Sequence, residues 1–170
     1  MKTEALKSLQ APLKEQYREK PEAAFITLKA QGRVGEDVTC KVTTGKALVE
    51  AGLHPATGGS GLSVCSGDML LEALVACAGV TLSSVATAIG VEVRGGVVRA
   101  EGVLDFRGTL SIGSDTPVGF QRIDLHFDLD TDATDEQLAT LIRLTERYCV
   151  VFQTLRTPPE FAVTLSAAQG

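Results

Sequence analysis

The sequence predicts an α+β domain with antiparallel sheet, and three observations carry that expectation. From Phe120 to Asp130 the chain alternates. Ile123, Leu125, Phe127 and Leu129 are apolar, and from Arg122 every second residue is polar, as in a strand with one buried and one wet face. Met69 to Ile89 is an apolar run with Glu72 as its only charge, which reads as the helix at the centre of the domain. Thr134-Asp135-Glu136-Gln137 is a capping-box pattern that opens a second helix.

The remaining elements are placed around these three. Thr3 to Lys20 alternates charged and apolar residues at helical spacing, interrupted by Pro12 and closed by Pro21. Residues 1–22 are therefore expected to be a helical extension and 23–170 a single domain. Strands are expected at Ala24–Ala30, Val38–Thr44 and Ala47–Ala51, with turns at Gln31–Gly35 and Thr44–Lys46, forming a meander. The glycine-rich run His54–Gly61 leads to the long helix, whose start Ser66 or Asp68 is expected to cap. Gly90 ends that helix, and β-like segments follow at Val91–Arg94 and Val97–Phe106. In the second helix the inward positions are Leu138, Leu141, Ile142, Thr145 and Cys149. A closing strand, Phe161–Leu165, follows Pro158-Pro159.

Composition narrows the function classes. At 170 residues with 44% hydrophobic content, one domain can bury a sizeable core, which excludes a disordered or disulfide-scaffold chain. A net charge of −5 provides no basic face for nucleic acid, and 5% aromatic content without Trp offers no stacking platform. The first twenty residues lack the apolar centre of a secretory signal, so a cytoplasmic setting is expected. Met69–Ile89 is nearly long enough to span a bilayer. Glu72, the Ser and Thr hydroxyls, and the lack of flanking Lys, Arg or aromatic anchors favour a buried soluble helix.

Chemistry centres on the four cysteines, Cys40, Cys65, Cys77 and Cys149. A cytosolic chain does not use them as structural disulfides by default. No CxxC is present and the two histidines, His54 and His126, stand outside ligand-like spacing, so no metal site is expected. His126 falls on the wet side of the alternating strand, and His54 lies beside the glycine-rich loop. Cys77 lies mid-run in the apolar helix and Cys149 ends the second helix on its apolar face. Both can be small core hydrophobes. A reactive role needs a cation, because burial alone raises a thiol pKa.

Gly67-Asp68-Met69-Leu70-Leu71-Glu72-Ala73-Leu74-Val75-Ala76-Cys77 resembles the central-helix motif of the OsmC/Ohr family of peroxide reductases. Glu146-Arg147-Tyr148-Cys149-Val150-Val151 is similar to the family's second-cysteine motif, and Gly58-Gly59-Ser60-Gly61 to its glycine-rich lead. Gly32-Arg33-Val34-Gly35 sits where the family carries its arginine, in an early turn. Gly67 stands where the Ohr branch has Glu, and Val150 where Pro commonly follows the second Cys, so the resemblance is to a divergent branch. It covers about residues 24–166 and implies an OsmC-like fold, with antiparallel sheets packed around two central helices in an intertwined homodimer.

By resemblance, Cys77 is the peroxidatic thiol, Cys149 the resolving thiol and Arg33 the cation favouring thiolate. Asp68 is the nearest acid to the family's Glu, and Cys65 is a loop cysteine or an alternative resolving partner. The substrate implied is an organic hydroperoxide or hydrogen peroxide. The reductant is a dithiol, with dihydrolipoyl groups a donor in this family, and no cofactor is implied. Along a straight helix Asp68 lies about 14 Å from Cys77 and on the opposite side. An acid orienting Arg33 beside Cys77 is therefore expected from a second subunit. A stripe of Ala76, Gly79 and Ser83, with Glu72 above it, suits close approach by another helix. Two other functions share these features: a non-catalytic redox sensor or small-molecule binder, and a structural dimer with core cysteines.

Overall fold

A computed structural model describes residues 2–5, 8, 10–11, 19–20, 31–34, 39–43, 48–111 and 115–166, with backbone alone for 31–34 and 39–43. Four short strands come first: β1 (Gln31–Val34), β2 (Thr39–Thr43), β3 (Leu48–Gly52) and β4 (Val64–Cys65). They form one sheet in the order β1-β2-β3-β4, antiparallel except for the parallel pairing of β4 on β3. The long helix α1 (Ser66–Ile89) follows. A second sheet pairs β5 (Gly95–Leu104) with β6 (Phe120–Asp130), and helices α2 (Asp135–Tyr148) and α3 (Val150–Arg156) complete the order.

β6 has the bounds that its alternation predicts. Its inner row, Ile123, Leu125, Phe127 and Leu129, packs with Val98 and Ala100 of β5 against the helices. Gly102 of β5 is required there, since a Cβ on it would lie 2.3 Å from the Phe120 ring. α2 opens on the predicted capping box: Gln137 N–H donates to Thr134 Oγ1 at 3.3 Å, and Thr134 N–H donates to Gln137 Oε1 at 2.9 Å. Gly90 ends α1 in the left-handed region at φ 73°, where its N–H reaches the Ala86 carbonyl.

Several expectations are corrected. Gln31–Val34, expected within a turn, is a strand, because pairing with β2 supplies ladder hydrogen bonds that a glycine-containing run does not advertise. The expected strand Ala24–Ala30 and the Thr44–Lys46 turn lie outside the described residues, as do Pro12 and Pro21. In the N-terminal extension, residues 3–5, 8, 10–11 and 19 are helical, and Thr3 Oγ1 donates to the Thr87 carbonyl at 2.9 Å. Neither Ser66 nor Asp68 caps α1; Cys65 holds that position without a side-chain hydrogen bond, and Asp68 lies in the first turn. Val91–Arg94 is not a strand, because Arg94 ties it across to Asp130 (Nη2–Oδ1 2.6 Å) and Asp132. β5 ends at Leu104, and Phe106 begins a single helical turn over Phe106–Thr109. The second helix stops at Tyr148 and a further helix, α3, was not foreseen.

The core consists of two adjoining clusters along α1. One gathers Leu82, Val85, Ala86, Val91 and Leu141; the other gathers Leu74, Ala78 and Cys149. Among the described residues, β5, α2 and α3 cover one side of α1. Glu72, Ala73, Ala76, Val80 and Ser83 remain exposed, Val80 at 73%, and they include members of the stripe expected to meet another helix. Phe161–Leu165 is irregular and not the expected closing strand. Phe161 is 84% exposed and Val163 and Leu165 are each 94% exposed, with no strand among the described residues alongside them.

Thr134→Ala removes one half of the capping box and should cost about 1 kcal/mol of stability in urea unfolding. Leu141→Ala, at a fully buried position, should cost about 2–5 kcal/mol.

Candidate functional site

Cys77 is half-buried on the covered face of α1, and Cys149 is 1% exposed at the junction of α2 and α3. Both belong to the cluster around Leu74 and Ala78, so the fold brings the two thiols together from elements far apart in sequence. Neither is in a disulfide. The junction itself prepares the site. Cys149 is extended (φ −73°, ψ 109°) and breaks what would otherwise be one helix. In an unbroken helix the Val150 N–H would bond to the Glu146 carbonyl. Here Gln153 Nε2 donates to that carbonyl at 2.7 Å instead. The first amides of α3 thus lack intrahelical partners, and those of Val150 and Val151 face the Cys77 sulfur.

The two thiols are driven apart in acidity. For Cys77 burial is the largest single influence and acts upward. Donors facing the sulfur outweigh it: the Val151 N–H first, then the Cys149 thiol, the Val150 N–H and the Thr81 hydroxyl. The result is a pKa below the ordinary thiol value, because hydrogen bonds to the anion favour the charged form. Burial pushes the Cys149 thiol up, and the neighbouring Cys77 charge reinforces this against the Phe152 and Val151 amides. One sulfur is favoured as thiolate while the other keeps its proton.

Within one chain, neutral donors lower the Cys77 pKa, and the side chain of the expected cation, Arg33, lies outside the described residues. Sequence reasoning missed these donors. Thr81 was accessible to it, since an i, i+4 spacing places it beside Cys77. The Val150 and Val151 amides were not, because nothing in the residues marks the break at Cys149.

The other candidates lie elsewhere. Arg33 is on β1, at the edge of the four-stranded sheet and paired with Lys41, and its side chain is outside the described residues. Asp68 is separated from Cys77 by an unbroken helix, about 14 Å along the axis and on the opposite side. It lines a different cleft of about 390 Å³ together with Cys65, His54 and Phe106. His54 Nδ1 accepts the Ala56 N–H at 3.0 Å, and its ring stacks on Phe106 at 4.9 Å. His126 is exposed on the outer face of β6. Among the described residues, no group of His, Cys, Asp or Glu is placed to hold a metal ion.

A profile of the OsmC-like protein family matches residues 58–164, well over half of the chain and including both thiols. The chain belongs to the OsmC-like protein family. No curated protein matches it. Among solved structures it is similar to an OsmC-like protein from Mycoplasma pneumoniae, at 16% identity and a TM-score of 0.66, over 78% of this chain and 89% of that one. An organic hydroperoxide resistance protein from Elizabethkingia anophelis aligns at 17% identity with a TM-score of 0.64, over 79% and 91% of the two chains. One from Legionella pneumophila, OsmC, aligns at 17% with a TM-score of 0.62, over 79% and 92%. At these identities the likeness establishes the OsmC-like fold, with its sheets against two central helices.

The thiols of this OsmC-like chain should titrate in opposite directions. A thiolate fraction falls as pH drops through the group's pKa, so Cys77 should stay reactive to iodoacetamide at lower pH than Cys149. Peptide-resolved mass spectrometry of alkylation against pH measures both. Coincident profiles would contradict the polarised pair.

Proposed function

We propose that this protein is a thiol-dependent peroxidase that reduces organic hydroperoxides or hydrogen peroxide in the cytoplasm. The observation that carries this reading is the contact between a thiol of lowered pKa, Cys77, and a buried thiol of raised pKa, Cys149. Two core hydrophobes would not need donors directed at one sulfur. Two of the similar structures, from Legionella pneumophila and Elizabethkingia anophelis, are organic hydroperoxide resistance proteins by name, which supports the substrate class.

The Cys77 thiolate attacks the terminal peroxide oxygen. The S–O bond forms as the O–O bond breaks, leaving a Cys77 sulfenic acid and an alkoxide that takes a proton from water to become the alcohol. The Cys149 thiol then attacks the sulfenic sulfur, forming the disulfide and releasing water. An external dithiol, such as a dihydrolipoyl group, reduces that disulfide by exchange and is itself oxidised. No cofactor takes part.

The working form is a homodimer. Its support is the uncovered face of α1 and the apolar residues Phe161, Val163 and Leu165 standing in solvent, since exposed apolar surface of this kind marks an interface. In that assembly Arg33 adds a fixed positive charge beside Cys77, held in place by an acid from the other chain. Asp68 is the candidate, since it cannot reach its own Cys77. Arginine suits the position because it stays charged when desolvated.

Peroxide-dependent oxidation of dithiothreitol or reduced lipoamide tests the reading. The wild type should turn over, and Cys77→Ser should abolish activity. Cys149→Ser should consume one equivalent of peroxide and stall as the sulfenic acid. Oxidation without dithiol turnover would instead indicate a redox sensor. Arg33→Ala should raise the Cys77 pKa by roughly one to two units, read as thiolate absorbance against pH, and sedimentation should give a dimer.

A further inference from the structure

We infer that residues 161–165 of one copy dock as a third strand along the free edge of β6 in the other, over an apolar groove between β6, α2 and α3. The inference deepens the proposed homodimer and rests on it. The groove, of about 430 Å³, takes one wall from the consecutive residues 120–125 of β6 and none from β5, so it runs along the β6 edge that β5 leaves unpaired. No strand among the described residues lies on that edge. The apolar lining includes Ile123, Leu125, Ile142, Phe152 and Leu155, each only half-buried. A long strand with an open edge and apolar surface beneath it is a template for another strand.

Residues 161–165 have the matching form. Phe161, Val163 and Leu165 fall on one face and Ala162 and Thr164 on the other, the period of a half-buried strand. Five residues span about 17 Å, the length of the edge between residues 120 and 125. The three large apolar side chains stand in solvent, although Arg156, at the end of α3, lines the groove itself. The linker explains why the segment does not lie in its own groove. Thr157 and Pro158 each precede a proline, which pushes both out of the helical region that a tight turn needs, and Thr157 is extended at φ −132°, ψ 86°. The chain therefore leaves α3 straight, and a symmetric exchange of this segment fills both grooves. The groove rim sets Arg122 and Arg156 against Asp124 and Glu146, and residues 161–165 carry no charge, so the rim and its occupant are matched in charge as well as in shape. Leu74, Ile123, Leu125, Phe152 and Leu155 belong both to the groove and to the cluster around Cys149, so the docked strand covers the thiol-bearing core from outside.

Two differently tagged copies are co-expressed, one carrying Thr164→Cys and the other Asp124→Cys, and treated with a short bismaleimide. Arg122→Cys and His126→Cys replace Asp124→Cys in turn, to cover the neighbouring registers. Peptide mass spectrometry should find the two introduced thiols linked between copies for at least one of the three positions. No link at any of them overturns the docking. A link formed only within a doubly substituted chain co-expressed with excess wild type places the segment in its own groove and overturns the exchange. Separately, Val163→Asp, with circular dichroism matching the wild type, should raise the dimer dissociation constant by at least about a hundredfold in sedimentation, since two buried contacts are lost per dimer. An unchanged constant overturns the inference. A wild-type dimer without the link keeps the proposed homodimer and loses only this docking, whereas a monomeric wild type overturns both.

Discussion

Packing of the α1 inner stripe against the β5–β6 hairpin, α2 and α3 is the constraint on which the other features depend. Leu74, Leu82 and Leu141 are at most 3% exposed, and burying a side chain of that size stabilises by about 1.5–3 kcal/mol. Those contacts fix the rotation of α1 about its axis. Rotation in turn decides that Cys77 faces α3 while Ala76, Val80 and Ser83 face away. A helix turned by half a revolution would bury Asp68 and Glu72 and carry the thiol into solvent. The apolar stripe excludes that alternative.

The chemistry is set by where one helix stops and the next begins. Two cysteines in contact, each raised by burial, would titrate as near equals if their surroundings matched. They do not match, because the break at Cys149 frees the Val150 and Val151 amides and directs them at Cys77. Gln153 makes the break tolerable by occupying the Glu146 carbonyl that the break leaves open. Polarisation of the pair thus combines backbone donors at Cys77 with the burial of Cys149, and a cation from the proposed second chain would add to it.

The outer half of α1 and the Phe161–Leu165 segment obey the same physics from the other side. A helix apolar all round is stable in water only when both faces are covered, and the described residues cover one. The apolar residues left outside are therefore as informative as those within: they mark the surface that the proposed second copy would bury. Asp68 fits the same pattern, placed in a cleft with Cys65 and His54 and out of reach of its own Cys77.

Local patterns were sufficient for much of this molecule. The period-two alternation from Phe120 to Asp130, the Thr134 capping box, the glycine stop at Gly90 and the apolar run of α1 are each written in neighbouring residues, because strand faces, caps and helix stripes follow from short-range periodicity. Strand β1, the loss of the expected Val91–Arg94 and Phe161–Leu165 strands, and the helix break at Cys149 were not legible. Strand β1 and the lost Val91–Arg94 strand are decided by partners distant in sequence, β2 and Asp130, and the break at Cys149 is accommodated by Gln153, seven residues from the Glu146 carbonyl. The sequence by itself determined the fold class and singled out the two thiols. Only the tertiary structure decided which donors surround Cys77, because hydrogen bonds to a sulfur depend on where backbone amides end up in space, and no residue type encodes that.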